Sequence, residues 1–171
     1  PFRRYKHFTQ EGGISTPLIV HWPQGLPASR QGELEHQPGH LVDIMATVCD
    51  ATRAIYPAEV GGQEITPRQG ISLLPAFRGE PLHRVQPIFW MHEGNRALRS
   101  GPWKLVKKFK GPWELYNIDD DRTEQNDVIT KFPALSQHLI RQWDDWAATT
   151  NVDEWTGPAR NNWGEEPRPR K

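Results

Sequence analysis

The chain has 171 residues, 36% hydrophobic and 25% charged, with 21 Lys and Arg against 21 Asp and Glu. That length supports a core of ordinary domain size. The balanced charge supplies no field for nucleic acid or a membrane surface, and the apolar runs are too short to predict a transmembrane span, so neither partner is expected. A single cysteine, Cys49, excludes an internal disulfide framework and a cysteine-rich zinc site.

The opening residues "PFRRYKHF" contain no initiator Met and read as an interior segment, so a large N-terminal part is expected upstream. Lys6 precedes Glu11-Gly12-Gly13 by five residues, and paired glycines allow a tight turn and a close backbone approach. The apolar run that follows predicts a buried strand over Thr16 to Trp22. Residues 23–39 hold three prolines and three glycines and predict a surface loop. From Leu41 the residues Leu41, Ile44, Met45 and Val48 fall at helical spacing, predicting an amphipathic helix to about Arg53 with Cys49 at the edge of its apolar stripe. A second Pro/Gly-rich stretch leads to "ISLLPAF", and a boundary is expected at about residue 80.

Beyond it, strands are predicted over Pro87 to His92, Asn95 to Arg99, Trp103 to Lys107 and Glu114 to Ile118, with turn signals between them that favour an antiparallel meander. Phe132, Leu135, Leu139, Trp143 and Trp146 lie on one face of a helix with Pro133 in its first turn, where proline is tolerated. Residues 151–171 have no period and are expected to be extended or disordered.

Few motifs carry chemistry alone. "CDATR", Cys49 to Arg53, fits the Cys-x-Pro/Ala-x-Arg pattern of a formylglycine precursor, but its place in a helical stripe reads as a core thiol. His36 and His40 are four apart, yet Pro38 and Gly39 break any helix between them. Asp119-Asp120-Asp121 lacks the alternating ligands of a calcium loop and reads as a solvated turn. Most of the eight tryptophans fall on core faces, with Trp90 the one considered for stacking on a ligand ring.

Five segments in order, "YKHFTQEGGISTPLIVHWP", "GHLVDIMATVCDATRAIYP", "GISLLPAFRGE", "HEGNRALRSGPWKLV" and "WELYNIDDDRTEQNDV", resemble the C-terminal third of a type I sulfatase of the arylsulfatase kind, in the alkaline phosphatase superfamily. The resemblance covers about Tyr5 to Val128. It implies an α+β chain: residues 1–80 end a large α/β sulfatase domain, and 81–150 form a small antiparallel sheet packed by a C-terminal helix.

It also implies hydrolysis of aryl or carbohydrate sulfate esters, with Lys6 as the catalytic cation that neutralises the sulfate oxygens. His7, His92 and Asn95 are implied near the substrate. Calcium and the formylglycine nucleophile would belong to the upstream part, so no metal is expected on residues of this chain and the chain alone is expected to be inactive. The implied partners are a sulfated small molecule or carbohydrate and the rest of a sulfatase chain, and family resemblance favours a periplasmic or secreted protein. Two alternatives stay open: a phosphodiesterase or phosphonate hydrolase of the same superfamily, and a non-catalytic binding or assembly module.

Overall fold

The computed structural model describes residues 1–157. In chain order its elements are α1 (Glu11–Ile14), a 3-10 turn (Ala28–Arg30), α2 (Leu41–Thr52), β1 (Glu59–Val60), β2 (Gln63–Glu64), α3 (Leu74–Phe77), β3 (Ile88–His92), β4 (Asn95–Ser100), β5 (Trp103–Lys107), β6 (Trp113–Asn117) and α4 (Pro133–Thr149). The chain divides into two compact units, one of residues 1–18 with everything from 86 onward and one of residues 19–85. The first 18 residues thus share a unit with the sheet, whereas the sequence groups them with residues up to 80.

In the first unit β3, β4, β5 and β6 form an antiparallel meander in sequence order. The turns dictate it. His92 pairs with Asn95 across a two-residue loop in which Glu93 (φ 49) and Gly94 (φ 79) are both left-handed, the backbone that matches strand twist. Gly101 (φ 55) serves the next hairpin, and Lys110 (φ 62) lies in the longer β5–β6 loop.

Side chains alternate across the sheet. Leu98, Leu105 and Leu115 pack against Leu139 and Trp143 of α4, while Ala97, Val106, Tyr116 and Ile118 form a second buried cluster with Trp90 packed against it. Tryptophan supplies much of the first cluster: Trp143 meets Trp113 and Trp146 edge-on, and Phe89 stacks on Trp146 at 4.9 Å. These rings belong to the core, as the helical stripe from Leu135 to Trp146 requires, whereas Phe132, expected on that stripe, precedes α4 and is exposed.

The face of the second cluster also carries a charged core. Lys104 is fully buried, and its Nζ lies 2.8 Å from Glu11 Oε1 and 2.9 Å from Glu124 Oε1. Glu11 N–H donates to Glu124 Oε2 at 2.8 Å. Burial pushes the Glu124 carboxyl above the usual range, against the lowering pull of Lys104. Beside it Arg3 donates to Glu114 and to the Tyr116 hydroxyl, each at 2.7 Å. Burial and the Glu114 carboxylate push the Tyr116 phenol well up.

The unit of residues 19–85 departs from two expectations. No strand forms over Thr16 to Trp22: Leu18, Ile19, Val20 and Trp22 are exposed, Ile19 at 89%. A run apolar on both faces suits a strand enclosed on both sides, and none of the described strands pairs with it. The helix α2 forms where expected, but its apolar stripe faces outward, with Leu41 at 77% exposure and Met45 at 53%. Its buried face is set by polar anchors instead. Asp43 is fully buried, accepts the N–H groups of His40 (2.7 Å) and Ile71 (2.9 Å), and pairs with Arg84, while Thr47 Oγ1 accepts Leu73 N–H at 2.9 Å. His40 therefore caps a helix. Arg53 closes that helix in a left-handed conformation (φ 58).

Of the expected tail, residues 151–157 contain no helix or strand, and the remainder lies outside the described residues.

Replacing Lys104 by Met should lower the unfolding free energy by about 3–5 kcal/mol at pH 7, because two buried carboxylates lose their cation. A carboxyl whose folded pKa is raised favours the fold while protonated and loses that advantage as pH rises past its unfolded value, about 4.3. The deficit of the variant should therefore be smaller at pH 5 than at pH 7. Urea unfolding at the two pH values measures this, and an equal deficit at both would show that Glu124 does not respond to loss of the lysine.

Candidate functional site

The loop carrying Lys6 and His7 is clamped onto the Glu-Gly-Gly turn. Gly12 N–H donates to the Arg3 carbonyl at 2.8 Å, and a Cβ on Gly12 would lie 2.2 Å from the Arg4 oxygen. A Cβ on Gly13 would lie 2.0 Å from the Phe8 oxygen. Neither glycine has a positive φ, so close approach, not unusual backbone, requires glycine here. Glu11 beneath them is held by Lys104, which fastens the turn to β5.

Lys6 stands exposed at the crest of this loop and, among the described residues, makes no hydrogen bond or ion pair. His7 follows in a left-handed conformation (φ 81). Its carbonyl accepts Asn95 Nδ2 at 2.7 Å, which ties the loop to the β3–β4 turn. Asn95 is buried; its amide nitrogen also donates to the His92 carbonyl at 3.1 Å, and its Oδ1 accepts Phe109 N–H at 3.1 Å. Every polar atom of that side chain is engaged. Asn95, placed near the substrate by the resemblance, uses these bonds to hold the loop that bears His7.

The same turn brings His92 and Glu93 to His7. The two imidazoles stack at 5.7 Å between centroids, and His7 Nδ1 lies 3.1 Å from Glu93 Oε2. One donor atom from each of His7, His92 and Glu93 lies within 4.8 Å of the others, a grouping able to hold a metal ion. Glu93 was missed in the sequence. Its signal was the motif "HEGN" itself, since a Glu-Gly pair in a two-residue hairpin loop places both flanking side chains at one sheet end.

The other candidates do not assemble a site. Asp121 accepts the N–H groups of Gln125 (2.8 Å) and Asn126 (2.7 Å), and Asp120 accepts Asn117 Nδ2 at 2.6 Å, so the aspartate run is a turn. Glu11 and Glu124 are neutralised by Lys104. Trp90 is half-buried against the sheet core, where its carbonyl accepts Trp143 Nε1 at 3.3 Å. Cys49 departs from the core reading: it is half-buried and lines an open cavity of about 870 Å³ with Asp50, Arg53, Glu64 and Arg68. Its stripe is not covered, so its thiol is not enclosed.

No protein-family model matches the chain. Curated relatives do. An uncharacterized sulfatase of Schizosaccharomyces pombe is 27% identical over 89% of this chain and 28% of its own length. The N-acetylgalactosamine-6-sulfatase of Canis lupus familiaris is 29% identical over 82% of this chain and 27% of its own. Among solved structures, Ps i-CgsB in complex with k-i-k-neocarrahexaose matches with a TM-score of 0.71 and 30% identity, over 86% of this chain and 32% of that one. In sequence and fold the chain is thus similar to the C-terminal part of a type I sulfatase, and it spans less than a third of the length of these relatives.

Asn95→Ala should cost about 1–3 kcal/mol, since it removes the acceptor of Phe109 N–H and the donor to the His7 carbonyl. Hydrogen exchange should show residues 4–10 losing protection before β5 does. Unchanged exchange in that loop would mean that Asn95 does not hold it.

Proposed function

We propose that this chain belongs to an enzyme that hydrolyses sulfate esters and that Lys6 contributes the cation facing the ester. The similarity to sulfatases supports a sulfatase-related function at the family level. The observation that carries the role of Lys6 is its placement: an exposed ammonium without a partner among the described residues, on a loop that the glycine clamp, Asn95 and the buried Glu11 hold in place. A compact ammonium of this kind stabilises charge growing on sulfate or leaving oxygens, and a fixed loop avoids reorganisation during the reaction. His7 and His92, at the same end of the sheet, are proposed to line the approach to the ester.

A carbohydrate ester is favoured over a simple aryl ester. Ps i-CgsB, the structural neighbour at 30% identity, is seen with a neocarrahexaose, and a curated relative is named for an N-acetylgalactosamine 6-sulfate activity. Calcium and a formylglycine nucleophile are proposed to come from outside this chain, as the resemblance implies, and "CDATR" follows Lys6 in sequence. The 171 residues by themselves are proposed to be inactive.

In the complete enzyme, Lys6→Ala should lower kcat about 100-fold or more, some 2.7 kcal/mol, with a smaller rise in KM. Lys6→Arg should recover only part, because a planar fork does not place charge where a point cation does. Steady-state kinetics on one sulfate ester, with melting curves as a folding control, tests this. A well-folded Ala variant with kcat within about threefold of wild type would remove Lys6 from the chemistry.

A further inference from the structure

We propose that His7, His92 and Glu93 form a binding site for a divalent transition metal of the zinc class, independent of the sulfatase reading. The three donors come from two restrained elements. His7 is fixed by the Asn95 bond to its carbonyl, and His92 and Glu93 by the hairpin turn in which Glu93 and Gly94 are both left-handed. The donor atoms already lie within 4.8 Å of one another, and His7 Nδ1 and Glu93 Oε2 within 3.1 Å.

Tetrahedral zinc with bonds near 2.0–2.1 Å places its ligand atoms about 3.4 Å apart. The His7–Glu93 edge is near that separation, and the His92 ring, stacked on His7, has to turn so that a nitrogen faces the same point. His92 is exposed at the end of β3, so rotation of its side chain supplies the movement without repacking.

The donor chemistry selects the ion. Two imidazoles and one carboxylate suit zinc and its neighbours in the first transition row, while calcium and magnesium prefer all-oxygen cages. Two neutral imidazoles and a carboxylate carry one negative charge, which a divalent cation overcompensates. The partial exposure of His7 (32% of its side chain) and the exposure of His92 leave a side open for water as the fourth ligand. The site is built for three protein ligands and an open position. The remaining histidines do not enter a metal-binding group among the described residues: His40 caps α2, and neither His21, His36, His83 nor His138 joins one.

The test is equilibrium dialysis of the purified 171-residue chain against zinc chloride after chelator treatment, with bound metal counted by elemental analysis. One zinc per chain at low micromolar free zinc is expected, undiminished by millimolar calcium or magnesium. His92→Ala and Glu93→Gln should each weaken binding tenfold or more, while His36→Ala and His83→Ala leave it unchanged. Cobalt(II) in place of zinc should give the intense visible bands of a tetrahedral or five-coordinate site, and these should vanish in His92→Ala. His92 is exposed, so that variant keeps the fold, which circular dichroism checks. If zinc binds substoichiometrically, or binds equally to the His92 and Glu93 variants, the cluster is only a His7–Glu93 ion pair with a stacked imidazole and the proposal fails.

Discussion

Lys104 buried between Glu11 and Glu124 is the interaction on which the rest of the sheet-bearing unit depends. A fully buried ammonium is tolerated only where carboxylates neutralise it, and here they come from segments remote in sequence: one from the Glu-Gly-Gly turn, the other from the chain after β6. Charge thus works beside the buried Ala97, Val106 and Tyr116 cluster on one face of the sheet. Its consequence is positional: the turn that bears the exposed Lys6 loop cannot drift without uncovering an ion in the interior.

The opposite face is covered by a helix. Leu98, Leu105 and Leu115 meet Leu139 and Trp143, and the apolar stripe of α4 provides the seal. One sheet therefore has a side sealed by α4 and a side where a buried ion cluster lies beside apolar residues. The glycines join the two levels of organisation. Since a Cβ at Gly12 or Gly13 would fall about 2 Å from a carbonyl oxygen, the 3–8 loop can lie directly against the turn. Asn95 completes the attachment from the hairpin, so Lys6, His7, His92 and Glu93 share one end of the sheet.

In the unit of residues 19–85 the balance is reversed. Polar anchors at Asp43 and Thr47 orient α2, and the residues that look like its core face outward. Ile19, Val20 and Trp22 are exposed as well. Amphipathic spacing measures which side of a helix would gain from burial, but burial also needs a surface to pack on, and the hydrogen-bonding groups of Asp43 and Thr47 found theirs on residues 71–73 instead.

The sequence by itself determined the elements whose causes are local. Turn glycines and period-two alternation placed the four strands and their meander to within a residue or two, and helical spacing with Pro133 placed α4, because backbone conformation and side-chain periodicity depend on near neighbours. It also marked Lys6 and the glycine pair as worth attention. Tertiary structure alone decided that Glu11 is an ion-pair partner, that Asn95 is a clamp, that Glu93 joins two histidines and that the α2 stripe faces outward. Each of these turns on contacts between residues about 25 to 110 positions apart, and no local pattern records which distant carboxylate will neutralise a buried lysine or which carbonyl a buried amide will hold.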